Sequence, residues 1–288
     1  MYYGMILLSV ATFGGCFALK DVYRKMRGSS FFISMESSFI GAFAGLLVLL
    51  CINGFQFELT PFTFFMASLV AINGIGFSFF SFKALDVINL SVFSLFSMLG
   101  GMLLPAAVGM IFYGEPMTVA KGVCYVFILV ALLLTVSRGK KGNGWIYYLG
   151  VFVLNGMSGV LSKIFTEAPY AKTGAAGYSI WSALLTGVFS LAIFLALWIS
   201  KKEQRKPYTL KAFGVSAVSG ASNKIANFLL VIALAHVDAS VQYPMVTGGV
   251  MIVSTLICFF GERKPSRKEI LSVALAFLGM LALFVIPV

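Results

Sequence analysis

Lys224 stands in Ser-Gly-Ala-Ser-Asn-Lys-Ile-Ala-Asn-Phe-Leu-Leu, with Asn223 before it and Asn227 three residues on, inside an otherwise apolar run. An ammonium in that setting can hold a carboxylate or another electron-rich group, and Asn227 adds an amide to the same helical face. Glu36, in Ser-Met-Glu-Ser-Ser, is the acid that could answer Lys224, either as its partner or as a proton carrier. Asn73 precedes Gly74 midway along another apolar run, and Trp181, near Tyr178, offers an aromatic wall. Gln242 and Tyr243 lead into Pro244, which lacks a backbone donor and can break a helix locally. Lys224, Glu36, Asn73, Asn227, Trp181, Gln242 and Tyr243 are therefore the candidate substrate contacts. Each also has a plainer reading as helix packing or as half of an ion pair.

Chemistry of other kinds finds few residues to work with. His236 is the one histidine, and it sits with Asp238 at a turn between two apolar runs. Cys16, Cys51, Cys124 and Cys258 all lie in apolar surroundings without a Cys-x-x-Cys pair, so neither a disulfide scaffold nor a structural zinc site is expected. There is no His-Glu-x-x-His, no pair of membrane aspartates and no serine that the lone histidine could serve. Gly74-Ile75-Gly76 lacks the strand and helix of a dinucleotide fingerprint. The expectation is a protein that is not an enzyme and needs no cofactor or metal. An intramembrane enzyme is the remote alternative, and a channel is a third.

The elements that position these residues follow from composition. The chain has 288 residues, 60% hydrophobic and 11% charged, with a mean hydropathy of +0.98. Water-soluble domains carry about a quarter charged residues, so most of this surface must meet lipid. A helix needs about 20 apolar residues to cross a hydrocarbon core. Ten such runs are predicted, at 3–19, 30–53, 62–82, 87–112, 118–137, 145–165, 176–200, 212–236, 239–260 and 269–288. They are continuous rather than alternating, which selects helices over a barrel. Tyr2, Tyr3, Tyr113, Trp145, Tyr147, Tyr148 and Trp198 mark interfacial ends. The first run has no basic segment before it and no small-residue cleavage site, so it reads as a retained span rather than a signal peptide. Lys20, Lys83 and Lys163 fall at the ends of spans and are expected to snorkel.

Seventeen of the 21 Lys and Arg residues fall in the loops after spans one, three, five, seven and nine, and only Lys121, Lys163 and Lys172 lie on the other side. Positive residues resist translocation, which predicts that the basic side is cytoplasmic and both termini are outside. The net charge of +11 is thus a topology signal and calls for no nucleic acid. A multi-pass protein of a cell membrane, by default a bacterial plasma membrane, is the expected setting.

The chain also repeats itself. Ala84-Leu85-Asp86-Val87-Ile88-Asn89-Leu90-Ser91-Val92 answers Ala233-Leu234-Ala235-His236-Val237-Asp238-Ala239-Ser240-Val241, and Gly100-Gly101 answers Gly248-Gly249. Tyr113-Gly114-Glu115 answers Phe260-Gly261-Glu262, and Tyr2-Tyr3 before Gly14 and Lys20 answers Tyr147-Tyr148 before Gly159 and Lys163. Residues 1–141 and 142–288 each hold five spans, an odd number, so the second half must enter the membrane in the opposite sense. The predicted architecture is all-α and polytopic, with ten transmembrane helices as two inverted five-helix repeats in one integrated membrane domain. Inverted repeats place a substrate site between the halves near the midplane.

Ala233-Leu234, Ala239-Ser240, Pro244 and Gly261-Glu262, with Ala84-Leu85, Ser91, Gly114-Glu115 and Gly122 in the first half, resemble the half-repeat pattern of EamA-type transporters of the drug/metabolite transporter superfamily. The resemblance covers essentially the whole chain. It implies a central cavity lined by spans 1–4 and 6–9, with spans 5 and 10 peripheral. Members often carry arginine early in the second and seventh spans, where this chain has Glu36 and Trp181 or Ser182. Many also keep their termini in the cytoplasm, against the loop charges here. The expected function is a secondary transporter moving a small polar metabolite by alternating access. An amino acid or related zwitterion is preferred, since Lys224 and Glu36 offer opposite charges, and a coupling proton or counter-substrate is the further partner such a cycle admits. Export of organic cations or drugs is the alternative.

Overall fold

A computed structural model describes residues 2–56, 58–114, 117–135, 145–200, 209–234, 236–237, 239–261 and 264–286, with the side chains of 132, 135, 231, 234, 239–244, 283 and 284 outside that description. Among the described residues the chain is all-helical, with α1 (Tyr2–Arg27), α2 (Phe31–Ile52), α3 (Pro61–Val87), α4 (Leu90–Phe112), α5 (Val119–Thr135), α6 (Trp145–Glu167), α7 (Ala175–Ile199), α8 (Leu210–Leu234), α9 (Ala239–Phe259) and α10 (Arg267–Val285). Six of them, α1 to α4, α6 and α7, are long and apolar enough to cross a bilayer, so this is a membrane-embedded helical protein.

Local chemistry sets the helix boundaries. Ser30, Asn89 and Ser266 cap α2, α4 and α10 through their side chains, and Ser266 forms a full capping box with Glu269. The first helix runs two turns past the predicted end of its apolar run. Asp21 pairs with Arg24 and Lys25 at i,i+3 and i,i+4, so the polar stretch stays helical until Gly28, whose φ of +114° ends it. α9 runs unbroken through Pro244, contrary to the local break expected there. A single proline removes one ladder bond and need not stop a well-packed helix.

Eight helices form a closed ring in the order α1, α8, α2, α7, α3, α6, α4, α9 and back to α1. α5 and α10 pack on each other outside it, around Cys124, Ile128, Ala276 and Met280, and lean on α4 and α9. Small residues make the seams close. Gly41 and Gly220 bring the α2 and α8 backbones into contact, a methyl on Gly41 standing 3.2 Å from Gly220 Cα. Gly100 meets the Phe152 backbone between α4 and α6, and Gly249 meets Val10 between α1 and α9. The antiparallel α1–α8 seam is stitched by Ser9 Oγ donating to Ala226 O (3.1 Å) and Cys16 Sγ to Ser219 O (3.4 Å). In the α3–α6 seam Asn73 Nδ2 donates to Leu154 O at 2.9 Å.

The basic helix ends collect at one end of the ring. Arg24 of α1 meets Asp86 of α3, Asn89 of α4 meets Glu269 of α10, and Phe32 of α2 stacks on Phe194 and Trp198 of α7. Tyr2 and His236 stack at the other end, called the far end below.

Candidate functional site

Lys224 lies near the middle of α8 with its stem laid over Gly45 of α2, one turn beyond the Gly41–Gly220 contact; a methyl on Gly45 would overlap the Lys224 side chain. The missing Cβ is what leaves room for the lysine. Asn227 is exposed and donates back to Asn223 O (2.8 Å) and Asn223 Oδ1 (3.2 Å), so the amides of the residue before Lys224 and of the residue three after it are joined. Between them stand the ammonium and the amides expected at mid-depth.

Glu36 goes elsewhere. Its side chain is 4% exposed and forms a two-pronged pair with Arg27, Nε to Oε1 at 2.9 Å and Nη2 to Oε2 at 2.7 Å, while the Tyr23 hydroxyl donates to Oε1. The extra turns of α1 bring Tyr23 and Arg27, i and i+4, onto the face beside the start of α2. Lys224 and Glu36 therefore do not pair. Arg24 adds a second cluster at the same end, with Asp21 (2.9 Å) and Asp86 (2.7 Å), and Ser29 donates to Asp86 at 3.1 Å. A cavity of about 200 Å3 opens here, lined by Asp21, Arg24, Lys25, Asn89, Cys258 and Phe260 among others.

Of the remaining candidates, Asn73 spends its amide donor on the α6 backbone, as above. Trp181 Nε1 donates to Glu58 O at 2.9 Å and its ring meets Phe64 edge-on, which places it at the far end on the α3–α7 seam. The side chains of Gln242 and Tyr243 lie outside the described residues. The candidates thus come together only as Lys224 with Asn227.

The expectation that Lys20 snorkels from a span end does not hold. It lies seven residues inside α1, and its Nζ rests over the rings of Phe77 (4.9 Å) and Phe82 (5.7 Å) of α3. Ser38 donates to Ser78 at 2.7 Å in the turn beside Phe77. Sequence reasoning missed Lys20, Tyr23, Arg24 and Arg27 by ending the first helix where hydropathy fell. The i,i+3 and i,i+4 charge spacing from Asp21 was the signal that it continued. Among the described residues no group of three His, Cys, Asp or Glu side chains is placed to hold a metal.

The ring is not closed equally at both ends. The backbone of α1 draws close to those of α2, α3 and α4 as well as its ring neighbours, while among the described residues that of α6 draws close to none of α7, α8 or α9 and α6 reaches α7 by side chains, Phe165 stacking on Tyr178 at 4.1 Å. The cross-ring side-chain contacts of α1 fall in its second half, at Phe17–Phe93, Tyr23–Phe82, Tyr23–Glu36 and Arg24–Asp86.

No protein-family model and no curated protein matches the chain. Its fold is similar to that of a solved crystal structure, described only as that of a protein, with a TM-score of 0.61 at 17% identity over 97% of this chain and 99% of that one. The similarity extends end to end and concerns the fold alone.

Proposed function

We propose that this chain is an EamA-type secondary transporter that moves a small polar metabolite by alternating access of two inverted five-helix halves, 1–141 and 142–288. The ring order supports the reading. Exchanging α1 with α6, α2 with α7, α3 with α8 and α4 with α9 carries the ring onto itself, and α5 and α10 simply trade places. The register follows in the seams with α4 and α9, where Gly14 beside Val253 has its counterpart in Gly159 beside Pro105.

The observation that carries the mechanism is the unequal closure. Under that exchange, the backbone approaches of α1 to α2, α3 and α4 correspond to approaches of α6 to α7, α8 and α9; among the described residues those backbones stay farther apart, and α6 meets α7 through side chains, with Phe165 stacked on Tyr178. Two halves of like structure in unlike arrangements are what a rocking cycle requires, since swapping their roles would open the basic end and close the far one. Lys224, Asn223 and Asn227 then supply polar contacts at mid-depth, where a charge is expensive unless a site needs it.

The test is counterflow. Purified protein in vesicles preloaded with unlabelled metabolite should show saturable, transient accumulation of the labelled compound above equilibrium. Flux that rises linearly with concentration and shows no counterflow would reject a carrier.

A further inference from the structure

We propose that the interior of the ring binds a small organic or inorganic oxyanion, with Lys224 as its principal contact and Lys20 as a second station nearer the basic end. This deepens the transport reading and rests on it. It also replaces the zwitterion preferred from sequence, because the acid half of that preference is already taken.

The argument is an inventory of charge. Ten acidic side chains exist in the chain. Glu36 is held by Arg27 and Tyr23, and Asp21 and Asp86 by Arg24, all at the basic end. Glu269 completes the α10 cap and accepts from Asn89. Glu58 lies in the connection before α3, and Glu167 is the last residue of α6. Glu115, Glu203, Asp238 and Glu262 lie outside the described residues and, by sequence, between helices. No described acid lies more than five residues from a helix end without a partner.

Two cations lie deeper than that. Lys20 and Lys224 are half-buried, Lys20 against Phe77 and Phe82 of α3 and Lys224 against Gly45 of α2. Among the described residues neither ammonium has a carboxylate or a hydrogen-bond acceptor; Lys20 rests over the faces of Phe77 and Phe82, with the Cys16 thiol one turn back as a further neighbour. Cys16 is level with Ser219 across the α1–α8 seam, so Lys20 is level with about residue 215 and roughly 13 Å from Lys224 along the axis at about 1.5 Å per residue. A buried charge without a partner is costly, and natural proteins keep one where a ligand supplies the counter-charge. The neighbours suit the same ligand: the Asn223 amide next to Lys224 can donate to an oxyanion, and the Asn227 amide can do so on turning away from Asn223.

The experiment uses the full chain in detergent, with melting temperature read in succinate, citrate, inorganic phosphate, alanine or tetraethylammonium. Ligand binding to the folded state raises apparent stability. At least one of the three anions should raise the melting point by several degrees, the carboxylate and phosphate arms telling which chemistry is preferred, while alanine and tetraethylammonium should not. Lys224→Met should lose at least tenfold in anion affinity, Lys224→Arg should keep it, and Lys20→Met should weaken it severalfold. Without ligand, Lys224→Met should melt no lower than the parent, since an unpaired cation is removed. No shift with any anion, a shift with alanine or tetraethylammonium alone, or an anion shift that survives both Met substitutions would overturn the proposal. Counterflow separates the two levels. Lysine-dependent anion binding without counterflow sinks the transport reading and leaves the site, whereas counterflow of alanine that ignores both lysines sinks the site and leaves the transporter.

Discussion

Replacing Arg27 by Met would strand the Glu36 carboxylate. Both side chains are almost wholly enclosed, at 6% and 4% exposure, and two charge-assisted hydrogen bonds join them at 2.7 and 2.9 Å. Removing one member of a buried pair costs about 3–5 kcal/mol, mainly because the survivor stays buried and unpaired. The Tyr23 hydroxyl still donates to Glu36, so the low end, about 3 kcal/mol, is expected for Arg27→Met. Replacing both residues by Met removes both charges, and such apolar exchanges are roughly neutral or stabilising. The double variant should therefore recover most of the loss, leaving a coupling energy of about 3 kcal/mol. Unfolding can be followed with a thiol-reactive fluorophore, because Cys16, Cys124 and Cys258 are buried thiols; a Cys51→Ser background removes the exposed thiol. Single variants within about 0.5 kcal/mol of the parent, or a double variant as unstable as the two losses summed, would show that this pair does not hold the basic end together.

Gly220→Ala should destabilise by about 1–3 kcal/mol in the same assay, because its methyl meets the Gly41 backbone, which no rotamer change can relieve. Gly15→Ala, with nothing within 4 Å of the added carbon, should be neutral or stabilising by about 0.5–1 kcal/mol; equal effects at both glycines would reject the close α2–α8 crossing. A cysteine at Asn227, an exposed position, should react with an impermeant maleimide from the far side in oriented vesicles and not from the basic side, and the reverse pattern would contradict closure at the basic end. A reporter fused after Val288 should be active outside the cytoplasm if loop charge sets the orientation, and a cytoplasmic signal would refute it.

Much of this molecule was legible in its sequence, because the bilayer imposes a length and an apolarity that no helix can evade. The helices fell close to their predicted runs, and the Gly100-Gly101 and Gly248-Gly249 pairs that the repeat matches both lie in helix seams. The errors share one cause. Hydropathy marks where a chain leaves lipid, whereas hydrogen bonding and side-chain pairing decide where a helix ends, so α1 outran its apolar segment and carried Tyr23, Arg24 and Arg27 to partners that spacing alone could not name. Residue type placed a cation and an acid at membrane depth, but only the packing of α1 on α2 shows that Glu36 faces Arg27, and only the crossing of α2 over α8 shows that Lys224 lies on Gly45. Which helices are neighbours in the ring, and which end of it is drawn together, depends on contacts between residues more than 200 positions apart, such as Ser9 with Ala226. The one-dimensional pattern fixes each helix's apolar faces and leaves the choice of partner to the fit of surfaces in three dimensions.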